Sequence, residues 1–231
     1  MGKDKKAEVS AAPKAQVPAV TEEFLGTLQK FNNDDFSVAV STGDWLARLQ
    51  LMTSRSKMVE GGKFPMNHYA LIKDQNFQDV GETVDLLILA FRPKAISIGD
   101  QVIVVYDCES DVFKKIQDDS DTQNSGCMFG PEFLVWISQI QKFATFFMGS
   151  KSARREAQNV RALMGKPATL KSKLIEYKKY QWQSPVITPC TTPLTHMPTQ
   201  AVLLEQANKF NNPPVQDIEK VDTAATSDRE V

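Results

Sequence analysis

Histidine, cysteine and long apolar runs are what this sequence has least of. Two histidines, His68 and His196, in 231 residues leave few ways to build a Ser/His/Asp or Cys/His site, and neither lies in a recognisable nucleophile motif. His68, within Met66-Asn67-His68-Tyr69-Ala70-Leu71, reads as a strand residue with a satisfied ring. The three cysteines, Cys108, Cys127 and Cys190, are odd in number, widely separated and without a C-x-x-C pair. That pattern argues against a disulfide framework and predicts reduced thiols. With His196 they complete a Cys₃His set, but structural zinc sites carry a close cysteine pair and this set has none. Idle thiols are therefore expected, with no bound metal and no other cofactor. The longest purely apolar run, Leu86 to Phe91, falls far short of the ~20 residues that cross a bilayer. No transmembrane helix and no membrane partner are expected.

Signatures of nucleotide hydrolysis and calcium binding are missing as well. Gly62-Lys63 is followed by Phe64, and Gly149-Ser150-Lys151-Ser152 lacks the spacing of a Walker A loop. The acidic stretch 107–121 does not follow the order of an EF-hand and reads equally well as a polar loop between strands. No catalytic residue stands out, so a non-enzymatic protein is expected.

What is present is an ordinary globular composition: 42% hydrophobic residues, 27 Lys+Arg against 28 Asp+Glu, and a net charge of −1. Residues 1–10 mix both signs of charge and lead into no apolar segment, which is unlike a secretory signal and predicts a cytoplasmic protein. Residues 1–20 hold no Leu, Ile or aromatic side chain and are expected to form a flexible arm, because nothing there offsets the entropy of ordering. Thr21 as N-cap, with Phe24, Leu25, Leu28 and Phe31 at helical spacing, predicts a short amphipathic helix over 22–31, which with the arm makes up a first region, 1–34.

Residues 35–188 carry short β-type runs punctuated by glycines: 36–40, 45–52, 68–73, 84–92, 101–106, 133–138, 142–148 and 168–182. The reading is mainly β, an OB-like (oligonucleotide-binding) antiparallel barrel with insertions. One main helix is predicted over 153–164, capped by Ser152 and closed by Gly165 and Pro167, and a weaker one over 110–117. Beyond Trp182 lie six of the twelve prolines. Region 189–231 therefore reads as a Pro-rich linker, a short helix at 199–210 with a thin apolar stripe, and a mildly acidic disordered tail.

Charge is segregated within the neutral total. Lys151 to Tyr180 holds nine cations against two acids, whereas Asp100 to Glu132 holds eight acids against two lysines. A local basic field attracts an anionic polymer even on a neutral molecule, because salt screens distant charge within about 10 Å. The cations also keep aromatic company, with Tyr177, Tyr180 and Trp182 beside Lys171, Lys173, Lys178 and Lys179 in one predicted strand. Cations hold phosphates while rings stack on bases. Strand alternation would put Lys173, Tyr177 and Lys179 on one face and Lys178, Tyr180 and Trp182 on the other. The plainer reading makes Tyr180 and Trp182 core residues and the charge run a solvated face. The turn Met148 to Arg155 adds small residues and the cations Lys151, Arg154 and Arg155 at a helix start, which suits a phosphate. Arg48, Arg55, Lys57 and Lys63 around Trp45, and Arg92-Pro93-Lys94, would extend a basic groove.

Residues 35–188, about two-thirds of the chain, resemble the single-stranded-DNA-binding proteins of bacteriophages. The likeness is carried by Val84 to Ala90, Phe143 to Ser152, and Ala168-Thr169-Leu170 through Tyr180-Gln181-Trp182. It implies sequence-tolerant binding of single-stranded DNA in phage-type replication or recombination, in the host cytoplasm, with a C-terminal tail that contacts replication or recombination proteins. The tail here ends Arg229-Glu230-Val231, without a dense acid run or a terminal aromatic residue, a departure from that pattern. Phosphate contacts are expected from Lys151, Arg154, Arg155, Lys171, Lys173, Lys178 and Lys179, and stacking from Tyr177, Tyr180 and Trp182. A homo-oligomer is compatible with this reading. The rivals are a virion or assembly protein that self-associates through its terminal arms, and a metal-dependent enzyme with 107–121 as ligand.

Overall fold

The computed structural model describes residues 46–73, 76–99, 102–122 and 125–212. Over these the chain runs β1 (Ala47–Leu51), α1 (Lys57–Glu60), β2 (Tyr69–Lys73), β3 (Asn76–Gly81), β4 (Val84–Ile98), β5 (Val102–Val105), α2 (Asp111–Asp119), β6 (Cys127–Ile137), β7 (Lys142–Phe147), α3 (Lys151–Ala162), β8 (Pro167–Tyr177), β9 (Tyr180–Pro189) and α4 (Gln200–Asn211). Of the described residues 45% are strand and 23% helix, so the fold is mainly β, in a curled half-barrel sheet. The predicted arm, the helix 22–31, the strand 36–40 and the acidic tail lie outside the described residues.

The nine strands make one sheet in the order β3-β2-β1-β7-β6-β4-β8-β9, with β5 pairing the far half of β4. The spine is β4 against β6, antiparallel from Leu86 opposite Ile137 to Ser97 opposite Cys127, with Leu89 as an extra residue at a bulge. β4 is apolar without alternation because both of its sides are covered. Val84, Leu86 and Ile88 join the inner core with Phe133, Val135, Tyr69, Phe146 and the α3 residues Ala153, Ala157 and Val160. Leu87, Leu89 and Ala90 join the outer one with Leu134, Trp136 and the α4 residues Leu203, Ala207 and Phe210.

The curl is read from one bond. The Tyr69 hydroxyl on β2 donates to the Lys171 carbonyl on β8 at 2.9 Å, although β2 and β8 stand five places apart in the sheet. Only a sheet bent around its inner core brings them together. Burial pushes the Tyr69 phenol above its ordinary pKa, so it remains a neutral donor there.

Several sequence expectations are corrected. The sheet is not wholly antiparallel: β1 runs parallel to β7, a pairing that needs no hairpin because about ninety residues separate the two strands. The helix expected over 110–117 forms as α2, and the short α1 is the one described helix that the sequence did not suggest; the main helix spans Lys151–Ala162, not 153–164, with Ser150 and not Ser152 as its cap, the Ser150 Oγ accepting from the Ala153 amide at 3.2 Å. The single strand predicted over 168–182 is two strands, folded at Lys178-Lys179 into a β8–β9 hairpin. The two-lysine loop carries none of the Gly or Asn signals that mark such turns, and Lys178 takes φ 54°. The helix predicted at 199–210 exists as α4, lying on its own sheet with Leu203, Ala207 and Phe210 buried.

Candidate functional site

The fold changes which residues share a face. In an antiparallel ladder directly opposed residues point to the same side. Lys171 lies opposite Val186, Lys173 opposite Ser184, Ile175 opposite Trp182 and Tyr177 opposite Tyr180. The hairpin therefore puts Lys171, Lys173, Tyr177, Tyr180 and Trp182 on one side by register, where the sequence reading had divided Tyr177 from Tyr180 and Trp182. Tyr177 and Tyr180 are 60% and 58% exposed and Trp182 37%, so none of the three is a core residue. Two rings stand free at the hairpin tip, each with a lysine over it: Lys178 Nζ lies 5.4 Å from the Tyr177 ring and Lys179 Nζ 5.6 Å from that of Tyr180.

Lys171, Lys173, Lys178, Lys179 and Arg155 are all exposed. Among the described residues none of the five has a carboxylate partner, although six lysine or arginine pairs with carboxylates form elsewhere. Glu176, the one acid of the hairpin, accepts instead from the Gln181 amide at 2.9 Å. The hairpin thus presents four unneutralised lysines.

Two of the expected phosphate contacts behave differently. Arg154 is held by the protein: its Nη1 donates to the carbonyls of Gly149 (2.8 Å) and Phe129 (3.2 Å), its Nη2 lies 3.5 Å from Asp121, and its guanidinium covers the Phe129 ring at 4.0 Å. Lys151 meets Asp121 at 3.6 Å with both side chains largely in solvent, a pairing that contributes little and yields readily to another anion.

The basic groove does not extend through Arg92 and Lys94. Both are buried on the outer face, where Arg92 Nε donates to Glu132 at 2.8 Å and Lys94 Nζ to its other oxygen at 2.5 Å. Here β4 runs under α4, and Arg92 serves the packing of the helix through Phe210 while Lys94 completes the pairing of Glu132.

Where the outer half of the hairpin meets α3, a cleft of about 550 Å³ opens between the β1–α1 loop (Thr53, Ser54, Arg55), the start of α3 (Ser150, Lys151, Ser152) and the strands β8 and β9 (Leu174, Gln181, Trp182, Gln183). The Trp182 indole N–H donates to Ser152 Oγ at 3.3 Å. Ring, basic helix start and basic hairpin, read separately in the sequence, thus meet at one place. Arg55, noted there only as a flanking cation, belongs to the same wall.

The remaining candidates stay scattered. Cys127 neighbours Ser97, Cys190 neighbours Asp85, and Cys108 neighbours Glu109. No three metal-binding side chains gather among the described residues, so neither the Cys₃His set nor the 107–121 stretch assembles there. His68 lies at the start of β2 with Nδ1 3.0 Å from the Asp79 carboxylate. No helix among the described residues is long and apolar enough to cross a membrane. Comparison with protein-family models, with curated proteins and with solved structures finds no match to this chain.

Proposed function

We propose that this protein binds single-stranded DNA, without sequence preference and without chemically converting it, in phage-type replication or recombination. The observation that carries the reading is the β8–β9 hairpin, where two opposed, exposed tyrosines lie among four lysines that no acid among the described residues neutralises. The lysines take phosphates, and bases of any identity stack on the rings, each stack contributing about 1–3 kcal/mol. In an OB-like manner the strand lies against a curled sheet. The C-terminal tail contacts replication or recombination proteins.

The test is fluorescence anisotropy of a labelled oligo-dT of about 30 nucleotides at several salt concentrations, read against duplex of equal length, with log K expected to fall by about 0.7 per phosphate contact. Single-strand preference, with affinity and salt slope both reduced in the Lys171→Ala/Lys173→Ala variant, supports the reading. No binding at low salt discards it. Assembly of like chains is the second reading, favoured by the exposed apolar Ile98, Val102 and Ile103 at the β4–β5 end, a chemistry that edge strands otherwise avoid. Concentration-dependent sedimentation without DNA identifies it.

A further inference from the structure

We infer that the cleft between the β1–α1 loop, the start of α3 and β9 is a seat for one nucleotide unit, its base on Trp182 and its phosphate between Arg55 and Lys151. The inference rests on the proposed single-strand binding but names a discrete subsite, separate from the hairpin tip and including a residue far away in sequence.

Three observations converge. The cleft holds two cations, and no acidic side chain lines it. Arg55 is exposed and has no ion-pair partner among the described residues, while Lys151 has only the long contact to Asp121. An arginine without an ion-pair partner beside a lysine at a helix start is arranged for phosphate oxygens.

The opposite wall holds Trp182 and Leu174 together with Gln181 and Gln183, and the Trp182 indole is held by its bond to Ser152. Fixing the ring before the base arrives lowers the ordering cost of stacking. Ser152 is therefore a positioning residue: it sets the indole through one hydrogen bond, while Ser150, two residues earlier, caps the helix.

The size matches too. A volume of about 550 Å³ lies within the ~300–1,000 Å³ of ordinary small-ligand clefts, enough for a base with its sugar and phosphate. A bare anion would leave the aromatic wall unused, and a flat apolar ring would leave the two cations unused. A nucleoside monophosphate uses both.

The test uses the full chain with ¹⁵N-labelled tryptophan. The indole N–H signal of Trp182, assigned by its loss in Trp182→Phe, is followed while dAMP is added, with deoxyadenosine and inorganic phosphate as separate arms. A saturating shift with dAMP that neither control reproduces is expected. Arg55→Ala is expected to weaken dAMP about tenfold, the loss of one charged contact. Ser152→Ala is expected to move the free Trp182 signal and to weaken dAMP while leaving any phosphate response unchanged. A shift produced in full by inorganic phosphate marks an adventitious ion only and overturns the inference, as does no shift at all. In both cases the oligonucleotide titration decides the proposed function separately. A saturating dAMP response without oligonucleotide binding overturns that function and leaves the nucleotide seat standing.

Discussion

Arg92 Nη1 donates to the main-chain carbonyl of Phe210 at 2.9 Å, joining the middle of the longest strand to the last turn of α4 across 118 residues of sequence. The same guanidinium lies between two rings, 3.8 Å from the Tyr106 centroid and 4.2 Å from that of Phe210. With Lys94 it brackets Glu132, so two buried cations share one carboxylate. The excess positive charge is met by the aromatic faces and by the negative end of α4. Arg92 thus latches a helix that otherwise offers the sheet only three buried side chains, Leu203, Ala207 and Phe210.

The stability order of this triad follows from what each deletion strands. Glu132→Gln leaves two buried cations without a counter-charge and is expected to cost about 3–5 kcal/mol, whereas Lys94→Met leaves a matched Arg92–Glu132 pair and is expected to change little. Urea midpoints check the order, and equal losses would refute it. Arg92→Met is expected to release α4, seen as faster proteolysis and amide exchange over 200–211 with the sheet still protected.

Two serines at the start of α3 separate cap from platform. Ser150→Ala is expected to cost about 1 kcal/mol, the usual value of an N-cap. Ser152→Ala is expected to leave stability within about 0.5 kcal/mol, because Ser152 Oγ meets only exposed partners, the Trp182 indole at 3.3 Å and the Ser150 hydroxyl at 3.4 Å. Thermal denaturation of both variants decides, and a larger loss in Ser152→Ala would return the cap to Ser152.

Lys178 holds a left-handed backbone that costs a residue with a side chain about 1–2 kcal/mol. Lys178→Gly is expected to raise stability by about 1 kcal/mol while lowering the salt slope of oligonucleotide binding by about 0.7, one phosphate contact. Denaturant titration and anisotropy read the two effects independently. A gain in stability with an unchanged slope would remove Lys178 from the interface.

The Cys108 thiol is pushed up, first by partial burial and then by the neighbouring carboxylates of Glu109 and Asp107. Its neutral form is favoured by folding, so its contribution to stability is present below the unfolded thiol pKa and is lost as pH rises through the folded one. Alkylation by iodoacetamide near pH 8, followed by mass spectrometry, is expected to be slower at Cys108 in the folded protein than in urea, with the gap closing at higher pH. Equal rates at pH 8 would show that the carboxylates do not reach it.

Local pattern alone determined that the described residues are mainly β and roughly where most of their strands and helices lie. The short β-branched and aromatic runs became β1, β2, β5 and β7 nearly where they were read and parts of the longer β4 and β6, and three helices begin within two residues of the positions read at 110, 153 and 199, because strand alternation and helix-start signals act over a few residues. The gathering of Lys171, Lys173, Tyr177, Tyr180 and Trp182 was legible as composition. Their common face was not, because it depends on a turn at Lys178-Lys179 that no turn residue announces. Tertiary structure alone decided the rest. Arg92 and Lys94 look in sequence like any exposed basic pair, yet Arg92 lies under Phe210 of a helix more than a hundred residues away and Lys94 is closed in by Glu132, Tyr106 and Phe147. Arg55 reaches the cleft only because the sheet curls. A charge becomes a structural clamp or a binding group according to what lies over it, and burial is set by distant parts of the chain that no local window contains.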